Sequence, residues 1–173
     1  MDLKSTIRAI PDFPKKGIIY RDITTLCKEA APFDEAVKEL CLPFQEERID
    51  KVVGIESRGF IFGGAAACRL GTGFVPARKP GKLPAETVSQ SYELEYGEDE
   101  IELHKDAILP GERVLVIDDL IATGGTAAAT CRLIEKLGGA IVGGAFLIEL
   151  ITLRGREKLG DIPVHVLVRF EGE

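Results

Sequence analysis

With 173 residues, 45% of them hydrophobic, the chain is long enough to bury a sizeable core and short enough to be read as one domain. Its formal net charge of −6, with acidic and basic residues interspersed, leaves no basic face for a phosphate backbone, so nucleic acid is excluded as a partner. Cys27, Cys41, Cys68 and Cys131 are widely spaced, form no C-x-x-C pair and lie in apolar segments, which reads as buried reduced thiols; with His104 and His165 as the only histidines, a structural zinc site has almost no ligands to draw on.

In chain order, Leu3, Ile7 and Ile10 are spaced as one face of a short amphipathic helix, ended by Pro11 and Pro14. The opening Met1–Lys4 lacks the apolar stretch of a secretion signal, and the longest apolar run, Ala140 to Ile148, is too short for a bilayer; no membrane association is expected, and the chain reads as soluble and cytoplasmic. Phe33, Val37, Leu40, Cys41 and Phe44 form a second helical stripe, which Pro43 should kink or end a turn early.

The centre is more regular. Lys51 to Ile55 is an apolar β-rich run, followed by the turn Glu56-Ser57-Arg58-Gly59 and a helix ending near Leu70-Gly71. The same grammar recurs from Arg113 to Ile117, through a turn from Asp118 to Gly125, into a helix from Thr126 to Leu137 that Gly138-Gly139 terminates. A third run, Ile141 to Leu147, follows directly. Strands apolar on both faces and alternating with helices imply an α/β fold: a parallel twisted sheet flanked by helices. In such sheets the turns after the strands converge on one ligand site, here the turns after Ile55, Ile117 and Ile148. Between the two units, Ser89 to Tyr96 and Glu100 to Lys105 alternate polar and apolar across Gly97-Glu98-Asp99 and read as a β-hairpin; an insertion of this kind is a candidate lid.

The stretch from Val114 to Thr126 carries the chemistry. Asp118 and Asp119 stand at a strand end, and Ala122-Thr123-Gly124-Gly125-Thr126 is a small-residue loop opening a helix. Such a loop offers main-chain amides, hydroxyls and a helix dipole to one phosphate, while the carboxylates accept hydrogen bonds from sugar hydroxyls nearby. Together they describe a ribose phosphate. No G-x-x-x-x-G-K-[ST] motif is present, and Gly71-Thr72-Gly73 has Pro76 where a dinucleotide fold places its third glycine.

This stretch resembles the signature of the type I phosphoribosyltransferases, and within them the chain is similar to the adenine phosphoribosyltransferase group almost end to end. The resemblance extends over Asp12-Phe13-Pro14 with Tyr20 to Ile23, Gly54 to Phe60, Arg78 to Pro84, Tyr92 to Gly97 and Leu153 to Leu159. It implies one phosphoribosyltransferase domain over 1–173, with about 1–35 as a base-binding hood and about 78–105 as a basic loop and hairpin lid. It implies that adenine and phosphoribosyl pyrophosphate (PRPP) give AMP and pyrophosphate, that Mg²⁺ arrives with PRPP without direct protein ligands, and that the protein is a homodimer. Asp118 and Asp119 would hold the ribose, Ala122 to Thr126 its 5′-phosphate, and Ser57, Arg58, Arg78, Lys79 and Lys82 the pyrophosphate, Lys82 reaching into the partner's site. Ile19, Tyr20, Arg21 and Leu150 would surround adenine, Tyr96 would lie on the lid, and Glu95 would be the general acid or base. The rival readings are a 6-oxopurine phosphoribosyltransferase and a PRPP-sensing regulator without the chemistry.

Overall fold

The computed structural model describes residues 1–94 and 97–172. Its centre is a five-stranded, all-parallel sheet of β3 (Lys51–Ile55), β4 (Gly73–Ala77), β7 (Arg113–Ile121), β8 (Ala140–Leu150) and β9 (Val164–Phe170), in the order β4-β3-β7-β8-β9. Successive residues of the central strands point to opposite faces, and both faces are apolar. Val52, Leu115 and Ile117 pack with Leu40 and Phe62 from α2 (Ala30–Cys41) and α3 (Gly59–Leu70). Val53, Val114 and Val116 pack with Leu133 and Ile134 of α4 (Gly125–Lys136) and with Ile101 and Leu103. This is the α/β architecture that apolar runs alternating with helices imply.

The two other ribbons lie outside the sheet. β1 (Arg8–Pro11) pairs antiparallel with β2 (Ile19–Asp22), ahead of the short α1 (Thr24–Cys27). β5 (Thr87–Glu93) pairs antiparallel with β6 (Glu98–His104).

Four expectations are corrected. The N-terminal helix does not form. Only a 3-10 turn, Lys4–Thr6, precedes β1, and the Ser5 and Thr6 hydroxyls bond back to the carbonyls of Asp2 and Leu3, diverting the backbone from a helix. Leu3 and Ile7 are nevertheless buried, so their apolar spacing marks a core contact rather than a helix face. β7 runs four residues past Ile117, because its ladder to β8 continues to the Ile121–Glu149 pair; Asp118 and Asp119 therefore lie inside the strand. The hairpin turns earlier than expected: Leu94 N–H donates to Gly97 O at 2.9 Å, and Glu98 and Asp99 are already in β6. Of the cysteines, all free, Cys41 and Cys131 are buried as read, burial pushing the Cys131 thiol up to about 12, but Cys27 is half-buried and Cys68 exposed. α2 ends at Cys41, as Pro43 requires, and a 3-10 turn carries Phe44 on into the core.

The β1–β2 ribbon is tied down by Asp22, which is 7% exposed. Its carboxylate accepts hydrogen bonds from the Thr24 hydroxyl (2.7 Å), the Arg8 guanidinium (3.0 Å) and the Thr24 amide (2.9 Å). These bonds, led by the Thr24 hydroxyl and Arg8, lower its pKa from 3.8 to about 2. A depressed carboxyl contributes stability that is complete above the unfolded pKa and is lost as pH falls through the folded one. Asp22→Asn should therefore lower the unfolding midpoint near neutral pH by about 2–4 °C, for about 1 kcal/mol lost with the turn. Midpoints of the two proteins followed down in pH should converge between about pH 4 and pH 2; a constant gap would mean that the Asp22 charge does not hold the ribbon.

Candidate functional site

In a parallel sheet all strands end at the same edge, so the turn after β3, the loop after β7 and the segment after β8 are neighbours. The β3–β7 register sets Gly54 beside Ile117, which brings the Glu56–Arg58 turn level with the aspartate pair. Ser57, Arg58, Lys79, Asp118, Asp119 and Thr126 line one cavity of about 310 Å³, together with Tyr92 and Leu120.

Asp118 sits beside the first turn of α3, where only glycine fits: a Cβ on Gly59 would stand 2.6 Å from Asp118 Oδ1. The same Oδ1 accepts the Asp119 amide at 2.8 Å. Asp119 is 5% exposed, and Arg58 Nε lies 2.9 Å from its Oδ2. That approach lies off the N–H direction, so the charges meet while Oδ2 receives no directed hydrogen bond from the described residues. Burial, and then the neighbouring charge of Asp119, push Asp118 well above the usual carboxylate range; burial also raises Asp119 against the pull of Arg58. The pair is thus a strong acceptor set short of donors.

The four expected cations, Arg58, Arg78, Lys79 and Lys82, are already engaged. Arg58 also donates to the Tyr20 hydroxyl, tying β2 to this turn. Arg78 Nε and Lys82 Nζ lie 2.9 and 3.3 Å from the two oxygens of Glu56, whose side chain is 7% exposed. Burial alone would raise Glu56, but hydrogen bonds from Arg78, the Lys79 amide and Lys82 outweigh it and hold it below the ordinary value. Lys79 pairs with Asp99 of β6 and reaches the Tyr92 hydroxyl at 3.3 Å. Lys82 thus meets a carboxylate of its own chain.

After β7, half-buried Ala122 and exposed Thr123 lead into Gly124, whose φ of 76° and closeness to Gly155 O (2.1 Å from a built Cβ) require glycine; Gly125 and Thr126 open α4. Thr123 and Leu150 line a second, more apolar cavity of about 510 Å³ with Ile18, Leu94, Leu153 and Lys158. Ile19, Tyr20 and Arg21 do not line that cavity. Ile19 is exposed, the Tyr20 ring packs edge-to-face on Phe13 at 5.2 Å, and the Arg21 guanidinium lies 4.0 Å from the Phe170 ring centre. Glu95 and Tyr96 lie outside the described residues. Sequence reasoning assigned no role to Glu56, although it stands in the same turn as Ser57 and Arg58, nor to Tyr92 or Asp99, which meet Lys79 only through the hairpin pairing.

The fold and the paired aspartates are those of a phosphoribosyl transferase, and a family model described as "Phosphoribosyl transferase domain" matches residues 33–166. An adenine phosphoribosyltransferase of Bradyrhizobium sp. (strain BTAi1) is 56% identical, over 99% of this chain and 97% of its own length. The crystal structure of the adenine phosphoribosyltransferase from Rhodothermus marinus superposes with a TM-score of 0.94 at 56% identity, over 97% of this chain and 96% of that one. The Saccharomyces cerevisiae enzyme, complexed with an imino-altritol bisphosphate and adenine, superposes at 0.91 with 43% identity, over 96% and 97%. The chain therefore belongs to the phosphoribosyltransferase family, among its adenine phosphoribosyltransferase members.

A carboxyl whose pKa is raised by folding makes the native state less stable as pH rises through that interval. Asp118→Asn keeps the acceptor for the Asp119 amide and removes the charge. It should raise the thermal midpoint of the ligand-free protein near pH 8 by about 2–4 °C, the equivalent of about 1 kcal/mol, and by less near pH 4. A lower midpoint at both pH values would show that the aspartate stabilises the empty protein.

Proposed function

We propose that this pentosyltransferase joins adenine to PRPP, releasing AMP and pyrophosphate. The observation that carries the reading is the aspartate pair, with the acceptor Asp119 Oδ2 lacking a directed donor among the described residues, in the cavity that Thr126 and Arg58 also line. Ribose hydroxyls are the donors such a pair lacks, and charge-assisted hydrogen bonds of this kind contribute about 1.5–3 kcal/mol each. In this reading Asp118 and Asp119 hold the ribose, and the amides and hydroxyls of Ala122 to Thr126 hold its 5′-phosphate at the start of α4. Ser57, Arg58 and Lys79 take the pyrophosphate, with Arg78 and Lys82 moving from Glu56 to join them.

Adenine presents an amino donor beside a ring-nitrogen acceptor, the complement of main-chain groups at Ile19 and Arg21. Tyr20 supplies a ring face and Leu150 an apolar wall from the second cavity. The bond from ribose C1 to pyrophosphate breaks through an oxocarbenium-like state as the bond to the base nitrogen forms. Glu95 accepts the proton that adenine gives up, and donates one in reverse. Among the described residues no group of three His, Cys, Asp or Glu side chains is placed to hold a metal. In this reading Mg²⁺ is carried in on PRPP with most of its waters, where it would offset the charge of the departing pyrophosphate.

The proposal extends to the whole chain as a single domain, with about 1–35 as hood and about 78–105 as basic loop and lid, in a cytoplasmic homodimer. Exposed Phe74, edge-to-face with half-buried Phe60, would offer that dimer an apolar contact near the Arg78 loop. Among the described residues no helix is long and apolar enough to cross a membrane.

The test is a purine panel. With PRPP, adenine should yield AMP, while hypoxanthine reverses both polar groups and loses about 1–3 kcal/mol at each, a discrimination of at least about thirty-fold. Equal turnover of hypoxanthine or xanthine would move the chain to the 6-oxopurine enzymes, and PRPP binding without turnover of any purine would make it a sensor. For the proton transfer, Glu95→Gln should lower kcat by about 10²- to 10⁴-fold with KM for PRPP nearly unchanged. Glu100→Gln, on the same hairpin, should stay near wild type; equal mild effects at both positions would leave Glu95 a lid residue only.

A further inference from the structure

The segment Leu153 to Leu159 carries family resemblance, and Leu153 and Lys158 line the second cavity, but the roles of Gly155 and Arg156 are not yet accounted for. It follows β8 as a pair of 3-10 turns, Ile151–Leu153 and Gly155–Leu159. Its closest approach to the site is backbone on backbone. A Cβ built on Gly155 would stand 2.1 Å from Ala122 O and 2.7 Å from Gly124 N, and one on Gly124 would stand 2.1 Å from Gly155 O. Gly155 is buried, so the loop between β7 and α4 rests on it without a side chain or water between them.

What fixes Gly155 is the residue after it. Arg156 places both prongs of its guanidinium on Glu149, Nε to Oε1 at 3.0 Å and Nη2 to Oε2 at 2.9 Å. A bidentate pair fixes direction as well as distance. Glu149 is 7% exposed near the end of β8, directly across from Ile121, the last residue of β7 before the loop. The carboxylate therefore sits on the sheet beside the loop's root, and Arg156 connects it to the segment that follows β8. Farther along, Leu159 is buried in the same core as α4, which holds the other end of the segment.

We propose that Glu149 and Arg156 are positioning residues for the 5′-phosphate. Through Gly155 they hold the Ala122 to Gly125 backbone in the shape that presents its amides to that group. The proposal rests on the reading of Ala122 to Thr126 as the 5′-phosphate site. A pair that only tied down the C-terminal segment would affect stability and leave ligand affinities alone.

The full chain with Arg156→Met is the first variant, measured for KM of PRPP and of adenine and for the dissociation constant of ribose 5-phosphate. KM for PRPP and the ribose 5-phosphate constant should rise by about ten-fold or more, since ångström-scale misplacement costs up to about 10²-fold. KM for adenine should stay within about two-fold. Arg156→Lys keeps the charge and one of the two bonds, so it should recover part of the loss. It also serves if the methionine variant does not fold, and in it the Gly124 and Gly125 amides should exchange faster than in wild type. Arg169→Met removes the other guanidinium on Glu149, an exposed one 3.2 Å away, and should leave both constants unchanged. Unchanged PRPP and ribose 5-phosphate constants in a folded Arg156 variant, or adenine and PRPP constants rising together, would overturn the proposal. So would Arg169→Met matching Arg156→Met. Thr126→Val separates the two levels: if it leaves ribose 5-phosphate binding intact, the reading of the loop has failed. If it weakens binding while the Arg156 variants do not, only the positioning role has failed.

Discussion

Two adjacent carboxylates inside a central β-strand are the constraint around which the rest of this structure is arranged. Neighbouring residues of a strand point to opposite faces, yet Asp118 and Asp119 are both drawn out of water at the carboxyl edge of the sheet. Each local feature nearby answers to them. Gly59 leaves room for Asp118 at the start of α3, the Asp119 amide turns back to its neighbour, and Arg58 supplies a charge without a directed hydrogen bond. The apolar layers on both sides of β7 supply the stability that the pair removes. Free energy withheld from the empty fold in this way is returned when donors reach the carboxylates, which links marginal local stability to ligand affinity.

Much of this was legible in the chain. The apolar runs at Lys51 to Ile55 and Arg113 to Ile117, each followed by a glycine-bearing turn and a helix, gave the alternation of a parallel sheet, and the small-residue loop after the aspartates marked its ligand edge. The misses have separate physical reasons. β7 continues beyond its apolar run because pairing with β8, rather than side-chain pattern, decides where the ladder stops. β4 contains Pro76, which argues against a strand unless the strand is at an edge, where this one is. β9 went unread although Val164, Val166 and Val168 alternate with polar or larger residues, because no helix of the expected size precedes it. Leu3 and Ile7 have a spacing that serves a helix or a turn equally, and short-range hydroxyl bonds chose the turn. In the site, Asp118, Asp119 and Thr126 line one cavity, while Thr123 of the same loop lines the other. The contacts of Glu56 with Arg78 and Lys82, of Lys79 with Asp99, and of Glu149 with Arg156 depend on tertiary pairing, which spacing does not encode.

The engagement of Arg58, Arg78, Lys79 and Lys82 with carboxylates bears on which anions the site admits. Cations matched in this way project little net field, so they offer weak long-range attraction to anions in general. An inorganic polyphosphate that draws the cations to itself strands Asp119, Glu56 and Asp99 as unmatched charges and gives nothing in exchange. A phosphorylated sugar carries hydroxyl donors on the same molecule as its phosphates, and a divalent ion on its pyrophosphate adds positive charge. Such a ligand meets the cations and the carboxylates in one event. Under the proposed function, charges that the empty protein sets against one another would favour such a ligand over a bare polyphosphate before any contact with the base is made.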